Sequence, residues 1–186
     1  MKNISFLDAL NILKKNRIFA YPTESVFGLG CNPDNEQVLV DLLLLKKRSI
    51  NKGLILIASN YKQLLPYINI NLLSQKQKKK ILSLWPGFIT FLIPCSTNIS
   101  RLITGGSKFV AVRVTEHPVV RKICNIFGKP IVSTSANISG MPASRTTLEI
   151  LNYFGKRIPI LSGSLGSYAH SSKIFNIITG EYIRNV

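Results

Sequence analysis

The chain alternates between hydrophobic spacings of about two and about 3.6 residues, which predicts strands interleaved with helices. Apolar, β-branched or aromatic runs predict strands at residues 17–21, 53–58, 88–93, 109–114, 130–133, 158–161 and 173–178, with an edge strand at 182–184. Apolar residues at helical spacing, preceded by polar residues, predict the helices. These run from Ser5 to residue 13, from Asp34 or Asn35 to Leu45, after Asn60, over 74–84, from Pro118 to near Gly128, and from Thr146 or Thr147 to Phe154. The alternation predicts a layered α/β fold, and the lack of repeats or linkers predicts one domain over residues 1–186.

Proline and glycine mark the predicted turns. Pro22 predicts the end of the first strand, because proline has no N–H to offer to a β ladder. The polar corner Thr23–Ser25 follows, and the glycines of Phe27–Cys31 predict a tight turn or a close approach of the backbone to a ligand. Trp85–Gly87 predicts another turn. Gly105–Gly106 predicts a flexible loop, but the spacing of a P-loop is absent.

The net charge of the chain indicates which kinds of molecule it binds. A formal charge of +16, from 24 Lys and Arg against 8 Asp and Glu, favours nucleic acids, nucleotides or membrane surfaces. Drift in an AT-rich genome is the alternative, and it would explain surface lysines but not cations inside apolar strands. Cys31, Cys95 and Cys124 form no CxxC pair, so neither a zinc site nor a disulfide framework is predicted. With no signal peptide and no apolar run of about 18 residues, we expect a cytoplasmic protein without a membrane partner.

A cluster of cations at Lys46–Arg48 separates two apolar runs. The preceding run, residues 38–45, reads as a buried helix and the following run, 53–58, as a buried strand. Side chains two apart do not share a helix face, but beyond a helix end Lys46 and Arg48 can converge. Arginine offers a planar fork and lysine a mobile point charge, which together suit a triphosphate. The alternative is that these cations only cap the helix.

Arg113 lies in a predicted strand between valines and should be half-buried. A buried cation needs an anionic partner. With few acidic residues in the chain, a bound ligand is one candidate, and Glu24 or Glu116 is the other. The sequence leaves this choice open.

Two polar segments complete the candidate site. Ser133–Asn137 follows a buried strand, and the carboxyl ends of strands are where α/β folds bind ligands, so its hydroxyls and amide suit phosphate or ribose oxygens. Near Tyr21, Thr23 offers a hydroxyl beside the predicted cleft. In both segments an ordinary polar turn is the alternative. His117 reads as a cap or surface residue, and neither a catalytic triad nor a carboxylate pair is indicated, so the chemistry must depend on cations and hydroxyls.

Five ordered motifs, taken together, resemble the YrdC/TsaC family of threonylcarbamoyl-AMP synthases over nearly the whole chain. They are Tyr21–Gly30 (YPTESVFGLG), Lys46–Arg48 (KxR, followed by KGL at 52–54), Trp85–Gly87 (WPG), Val110–Pro118 (VAVRVTEHP) and Ser133–Gly140 (STSANISG). The chain resembles the short, single-domain branch. It departs from the common pattern where Phe88 replaces proline, where Glu24–Ser25 replaces Asp-Thr, and at Ser172–Ile174.

This resemblance implies an α/β fold with a twisted mixed sheet and flanking helices around a basic cavity. It implies a nucleotidyltransferase that condenses L-threonine, bicarbonate and ATP to threonylcarbamoyl-AMP and pyrophosphate. The product serves N6-threonylcarbamoyladenosine formation at position 37 of tRNAs that read ANN codons. Downstream tRNA threonylcarbamoyl-transfer proteins are then partners, and Mg²⁺ is expected on the ATP phosphates with no protein metal site. Double-stranded RNA or tRNA is a further expected partner.

The resemblance also assigns roles to residues. Lys46 and Arg48 are the expected catalytic residues. The expected ATP-binding residues are Lys46, Arg48, Ser133, Ser135, Asn137 and Arg145, and those for threonine and bicarbonate are Tyr21, Thr23 and Arg113. Two alternatives stay open: a non-catalytic double-stranded RNA or tRNA-binding protein, and another transferase that uses carbamoyl phosphate or nucleotides in the same cavity.

Overall fold

The computed structural model describes residues 3–185, which form helices around a mixed sheet. The strands are β1 (Asn3–Ile4), β2 (Phe19–Pro22), β3 (Phe27–Gly30), β4 (Ile55–Ala58), β5 (Ile89–Pro94), β6 (Phe109–Val114), β7 (Ile131–Ser135), β8 (Ile160–Leu161), β9 (Lys173–Asn176) and β10 (Tyr182–Arg184). The α-helices are α1 (Phe6–Lys14), α2 (Glu36–Leu45), α3 (Gln75–Leu84), α4 (Arg101–Thr104), α5 (Pro118–Phe127) and α6 (Thr147–Phe154). Short 3-10 helices span Tyr61–Tyr67, Ile70–Leu72 and Gly155–Arg157.

The strands follow one another across the sheet in the order β1-β8-β2-β3-β7-β4-β6-β5-β9-β10. Parallel pairs such as β4 with β6 and β5 with β9 stand beside antiparallel pairs such as β2 with β3 and β5 with β6. The central strand β7 runs antiparallel to both of its neighbours, β3 and β4. The predicted α/β class with a mixed sheet and flanking helices is therefore confirmed.

Neighbouring residues of the central strands contribute to different cores, because successive side chains of a strand point to opposite faces. Ile57 of β4 and Ile131 of β7 pack in a smaller core with α1 and α5. Leu56 and Val132, one position along, belong to the larger core, which also takes apolar residues from α2, α3 and α6. Helices therefore cover both faces of the sheet.

Four predicted helix starts are confirmed by side-chain caps. Ser5, Asn35, Ser74 and Thr146 each accept a hydrogen bond from the backbone N–H three residues further along the chain. In three of the four, the residue at that third position returns a side-chain bond to the capping residue's N–H, which completes a capping box. These bonds satisfy N–H groups that the first helical turn leaves unpaired, so the sequence signal marks the helix boundary for a physical reason.

Of the two expectations for the glycines of Phe27–Cys31, the tight turn is wrong, because residues 27–30 form strand β3 beside β2. The other, a close approach of the backbone to a ligand, stays a prediction. The glycines are needed for packing. A Cβ at Gly30 would lie 2.7 Å from Cε1 of Tyr21, and a Cβ at Gly28 would lie 3.1 Å from its Cζ. The Tyr21 ring therefore occupies the space that side chains at these two positions would fill. Strand β1 and the short helix α4 were not predicted from the sequence.

This packing predicts a graded cost of adding a methyl group. Gly30→Ala should lower the free energy of unfolding by about 1–3 kcal/mol, since the added methyl group would overlap the fully buried Tyr21 ring. Gly28→Ala, with a longer closest approach, serves as the milder comparison and should cost less. Urea unfolding of the three proteins checks this. Equal midpoints for Gly30→Ala and the parent chain would contradict the packing argument.

The structure shows the state of the three cysteines and the character of the helices. Cys31, Cys95 and Cys124 are free thiols, and two of them are buried. Within the described residues, none of the helices has both the length and the apolar character that crossing a bilayer requires.

Candidate functional site

A cavity of about 370 Å³ lies against β6 and β7, with further walls from β3, β5, β9 and β10. Its volume lies in the range of small-molecule sites. The described residues that line it include Arg48, Arg113 and Arg184 but no carboxylate. Nine hydroxyl-bearing residues share the lining: Thr23, Ser25, Thr104, Ser107, Ser133, Thr134, Ser135, Ser171 and Ser172. A wall of cations and hydroxyl groups favours an anionic ligand.

The C-terminus of α2 turns sharply and brings Arg48 to this cavity. Lys47 takes a left-handed conformation with φ +51°, and the Arg48 N–H returns to the Leu43 carbonyl at 2.9 Å. The guanidinium then donates from Nε to the Lys52 carbonyl at 3.1 Å and from Nη2 to the Gly53 carbonyl at 2.7 Å. Burial lowers the pKa of Arg48, but a guanidinium stays charged. Arg48 is therefore a positioned cation on the cavity wall.

Lys46 does not line the cavity, and it is only 1% exposed. Its ammonium group donates to the Ser135 carbonyl, to the Asn137 carbonyl at 2.8 Å and, at a longer 3.4 Å, to Asn137 Oδ1. All three donors of the group are thus used within the protein. Burial lowers the pKa of Lys46 to about 7, and the nearby charge of Arg48 acts in the same direction. Lys46 therefore links the end of α2 to the loop after β7.

The segment Ser133–Asn137, at the end of β7 and just beyond it, divides into a lining part and a supporting part. Ser133–Ser135 lines the cavity at the carboxyl end of β7, where the sequence placed it. Asn137 does not: its Oδ1 accepts from the Ser135 hydroxyl at 2.6 Å, and its Nδ2 donates to the Met141 carbonyl at 2.6 Å. The amide therefore holds the loop in shape, while Ser133, Thr134 and Ser135 contribute to the cavity wall.

Arg113 has a structural partner, which the sequence left open. Its Nη2 lies 3.1 Å from Oε2 of Glu24, with the two side chains 7% and 9% exposed. The other Glu24 oxygen accepts from the Thr115 hydroxyl. Glu24 thereby offsets a buried charge that would otherwise be costly. Arg113 still lines the cavity, and its Nε has no hydrogen-bond partner among the described residues.

The two residues of β2 and its corner that were assigned to threonine lie in different layers. Thr23 lines the cavity, and its hydroxyl donates to the Val26 carbonyl at 2.7 Å. The Tyr21 ring is fully buried in the core shared with α1 and α5, behind Gly28, which does line the cavity. Burial raises the pKa of Tyr21. Tyr21 therefore supports the wall from behind and does not form part of it.

Arg145 lies outside the cavity lining, whereas Arg184 belongs to it. Arg145 is exposed, does not line the cavity, and donates from Nη1 to the Ala169 carbonyl at 3.2 Å. Arg184 was not predicted as a site residue, yet it lines the cavity and donates from Nε to the Ser172 carbonyl at 3.0 Å. Burial lowers the pKa of Arg184, and the charge of Arg113 acts in the same direction. Two guanidinium groups near enough to repel favour an anion between them.

The remaining titratable groups give no metal site. In residues 3–185, no three His, Cys, Asp or Glu side chains come together as metal ligands would. Of the two expectations for His117, the position of a helix cap is confirmed and the surface location is wrong. His117 stands at the N-cap position of α5 without a side-chain cap bond and is 6% exposed, with Nε2 3.1 Å from the Ser164 carbonyl. Burial lowers its pKa.

Known proteins resemble this chain both in sequence and in fold. The threonylcarbamoyl-AMP synthase of Photorhabdus laumondii is 47% identical over 180 residues, which cover 97% of this chain and 95% of the relative. The threonylcarbamoyl-AMP synthase of Escherichia coli O6:H1 is 47% identical over 176 residues, 95% of this chain and 93% of the relative. The crystal structure of P. abyssi Sua5 complexed with L-threonine superposes with a TM-score of 0.85 at 27% identity, covering 94% of this chain.

This chain spans about half, 53%, of the P. abyssi Sua5 chain, but nearly the full length of the two bacterial relatives. A sequence profile of Sua5, YciO and YrdC proteins, described as telomere recombination, matches residues 11–185. The match includes every segment that forms the cavity. The chain therefore belongs to the Sua5/YciO/YrdC family, which confirms the resemblance that its five motifs indicated.

Proposed function

We propose that this chain is a threonylcarbamoyl-AMP synthase, a nucleotidyltransferase that condenses L-threonine, bicarbonate and ATP to threonylcarbamoyl-AMP and pyrophosphate. The observation that carries the proposal is 47% identity, over 97% of the chain, to a relative of that name. The cavity supports it, because three arginines, nine hydroxyl-bearing residues and no carboxylate suit anionic reactants. The L-threonine complex of a related Sua5 supports the amino-acid substrate.

The reaction requires, above all, that the protein stabilise negative charge on the reactants and on the leaving group. The amine of threonine, after losing its proton, adds to the carbon of bicarbonate, and water leaves to give a carbamate. A carbamate oxygen then attacks the α-phosphorus of ATP, the bond to the bridging oxygen breaks, and pyrophosphate leaves with the electron pair. Nucleophile and triphosphate are both anions and repel each other. Arg48, Arg113 and Arg184 offset this repulsion and stabilise the charge that builds on the leaving group.

The positions of the side chains suggest how the substrates divide the cavity. Arg48 and Ser133–Ser135 line the cavity and suit the phosphates and ribose of ATP, with Lys46 and Asn137 holding that loop from behind. Thr23 and Arg113 suit the threonine and bicarbonate part. In this arrangement Tyr21 acts through the wall, and Arg145 reaches ATP only from the surface beside the cavity.

We infer that Mg²⁺ enters with ATP and is held by the phosphate oxygens, where it neutralises charge on the leaving pyrophosphate. The chain fits this arrangement, since the described cavity residues offer no carboxylate to a metal and Glu24 is engaged by Arg113 and Thr115. The contribution of the protein is then to position the phosphates through arginine and hydroxyl donors.

The product assigns a place in tRNA modification. Threonylcarbamoyl-AMP is a reactive mixed anhydride and so an activated donor of the threonylcarbamoyl group, which suits a following transfer to adenosine 37 of ANN-decoding tRNAs. We propose tRNA threonylcarbamoyl-transfer proteins as partners and the cytoplasm as the place of action.

A direct assay tests the proposal. Purified protein with ATP, L-threonine and bicarbonate should give a species with the mass of threonylcarbamoyl-AMP, together with one equivalent of pyrophosphate. Omitting L-threonine or bicarbonate should remove both products, and ¹³C-bicarbonate should label the adenylate. Pyrophosphate release that is independent of L-threonine would contradict this function and favour a different nucleotide-using transferase.

The charge of the chain supports a second candidate function, the non-catalytic binding of double-stranded RNA or tRNA. It rests on the net charge of +16 and on exposed lysines of α3, such as Lys76, Lys79 and Lys80. Binding of this kind should weaken steeply with salt, because phosphate contacts release counterions. Salt-sensitive tRNA binding by a protein that makes no adenylate would support this candidate against the enzyme.

A further inference from the structure

The side chain of Phe88 occupies an unusual place in the cavity wall, between a cation and a second ring. The Cζ atom of Arg113 lies 5.1 Å from the centroid of the Phe88 ring. The Phe88 ring stacks on the ring of Tyr168, with the two centroids 4.1 Å apart and an interplanar angle of 24°. Phe88 lines the cavity, whereas Tyr168 lies outside it and is 52% exposed. Arg113, Phe88 and Tyr168 thus form a stack that runs from the cavity to the surface.

This stack acts on a guanidinium that already has one partner. Glu24 holds Arg113 through Nη2, while Arg113 Nε is buried and has no hydrogen-bond partner among the described residues. An aromatic face attracts the cation but accepts no strong hydrogen bond, so Phe88 restrains the guanidinium without competing for its donors. A leucine is apolar and somewhat smaller, so it would fill most of the same space but would lose this attraction.

The segment that carries Tyr168, the outer member of the stack, is hydrogen-bonded to the backbone of Thr23 and Glu24, and Glu24 is the partner of Arg113. The Gly166 N–H donates to the Thr23 carbonyl at 2.9 Å, and the Tyr168 N–H donates to the Glu24 carbonyl at 3.1 Å. A Cβ at Gly166 would lie 2.6 Å from the Glu24 carbonyl oxygen, so the two segments approach as closely as backbone allows. Backbone bonds therefore fix this segment independently of the ring stack.

We propose that Phe88 is a positioning residue that orients the Arg113 guanidinium toward the carboxylate or carbonate group of the substrate that the cavity takes beside ATP. The inference rests on the proposed function for the identity of that substrate. It predicts that Phe88 affects L-threonine far more than ATP, because the stack holds Arg113 and not Arg48 or Ser133–Ser135, which are assigned to ATP.

The test measures L-threonine affinity by calorimetry and the Michaelis constants for both substrates. Phe88→Leu should raise the Kd and KM for L-threonine about tenfold, which corresponds to about 1.4 kcal/mol, and leave KM for ATP within about twofold. Phe88→Tyr, which keeps the ring face, should stay near the parent values. Phe127→Leu is the matched control, since Lys129 also lies 5.1 Å from the Phe127 ring centroid but away from the cavity.

Other outcomes overturn the inference. They are an unchanged L-threonine Kd in Phe88→Leu, an equal rise for ATP, or a loss as large in Tyr168→Leu, which would assign the effect to the outer wall. If the parent chain binds L-threonine but makes no threonylcarbamoyl-AMP, the proposed function fails, while the calorimetric Kd values still decide the role of Phe88. A parent chain that binds no L-threonine would overturn the role itself.

Discussion

Replacing Arg48 by alanine should lower kcat/KM for threonylcarbamoyl-AMP formation by about 100-fold or more. Loss of one preorganised donor to developing charge typically costs about 3 kcal/mol of transition-state stabilisation. Arg48 qualifies as such a donor because two backbone carbonyls, of Lys52 and Gly53, fix its guanidinium at the cavity wall before any ligand arrives. Quantifying the product by mass spectrometry under subsaturating ATP gives the ratio directly.

Two companion variants separate position from net charge. Arg48→Lys keeps the charge but loses the planar fork, so it should recover only part of the activity. Lys52→Ala removes an exposed cation at the same edge of the cavity while leaving its carbonyl in place, and it should stay near the parent rate. If Lys52→Ala and Arg48→Ala lose equal activity, general electrostatic attraction of ATP explains the effect and the wall position of Arg48 does not.

The fold was largely predictable because its signals are local. Strand β6 has the predicted bounds, and the caps Ser5 and Ser74 begin helices where a side-chain acceptor meets free N–H groups. The error at Gly28 and Gly30 has a nonlocal cause. Glycine in a strand and glycine in a turn look alike in sequence, and here only the ring of Tyr21 on the partner strand distinguishes them.

The candidate site was predictable as a set of segments but not as a set of contacts. The sequence brought Arg48, Arg113 and Ser133–Ser135 to one cavity, as the structure shows. It did not show that Lys47 turns left-handed and so sends Lys46 and Arg48 to different neighbours. Strand pairing is nonlocal as well, and for that reason the placement of the C-terminal strand β10 at the cavity edge could not be predicted.

Lys46→Met should lower the free energy of unfolding by about 3 kcal/mol at about pH 9, because it removes a buried donor from the Ser135 and Asn137 oxygens. The loss should also grow with pH. The folded pKa is about 7 against an ordinary value of 10.5, so between these values the unfolded chain binds the proton and the folded chain does not. Stability from this site is therefore fully present above the unfolded pKa and is lost as the pH falls through about 7.

The difference in unfolding free energy between the parent chain and Lys46→Met is the quantity to follow, since groups common to both proteins cancel in it. It should widen from about pH 6 to about pH 9, by up to about 1.4 kcal/mol for each pH unit between the two pKa values. Lys79→Met, at an exposed position of α3, should show no such trend. Urea unfolding across this range checks it. A flat difference would mean that the Lys46 ammonium keeps its ordinary pKa, and that carbonyl acceptors outweigh its burial.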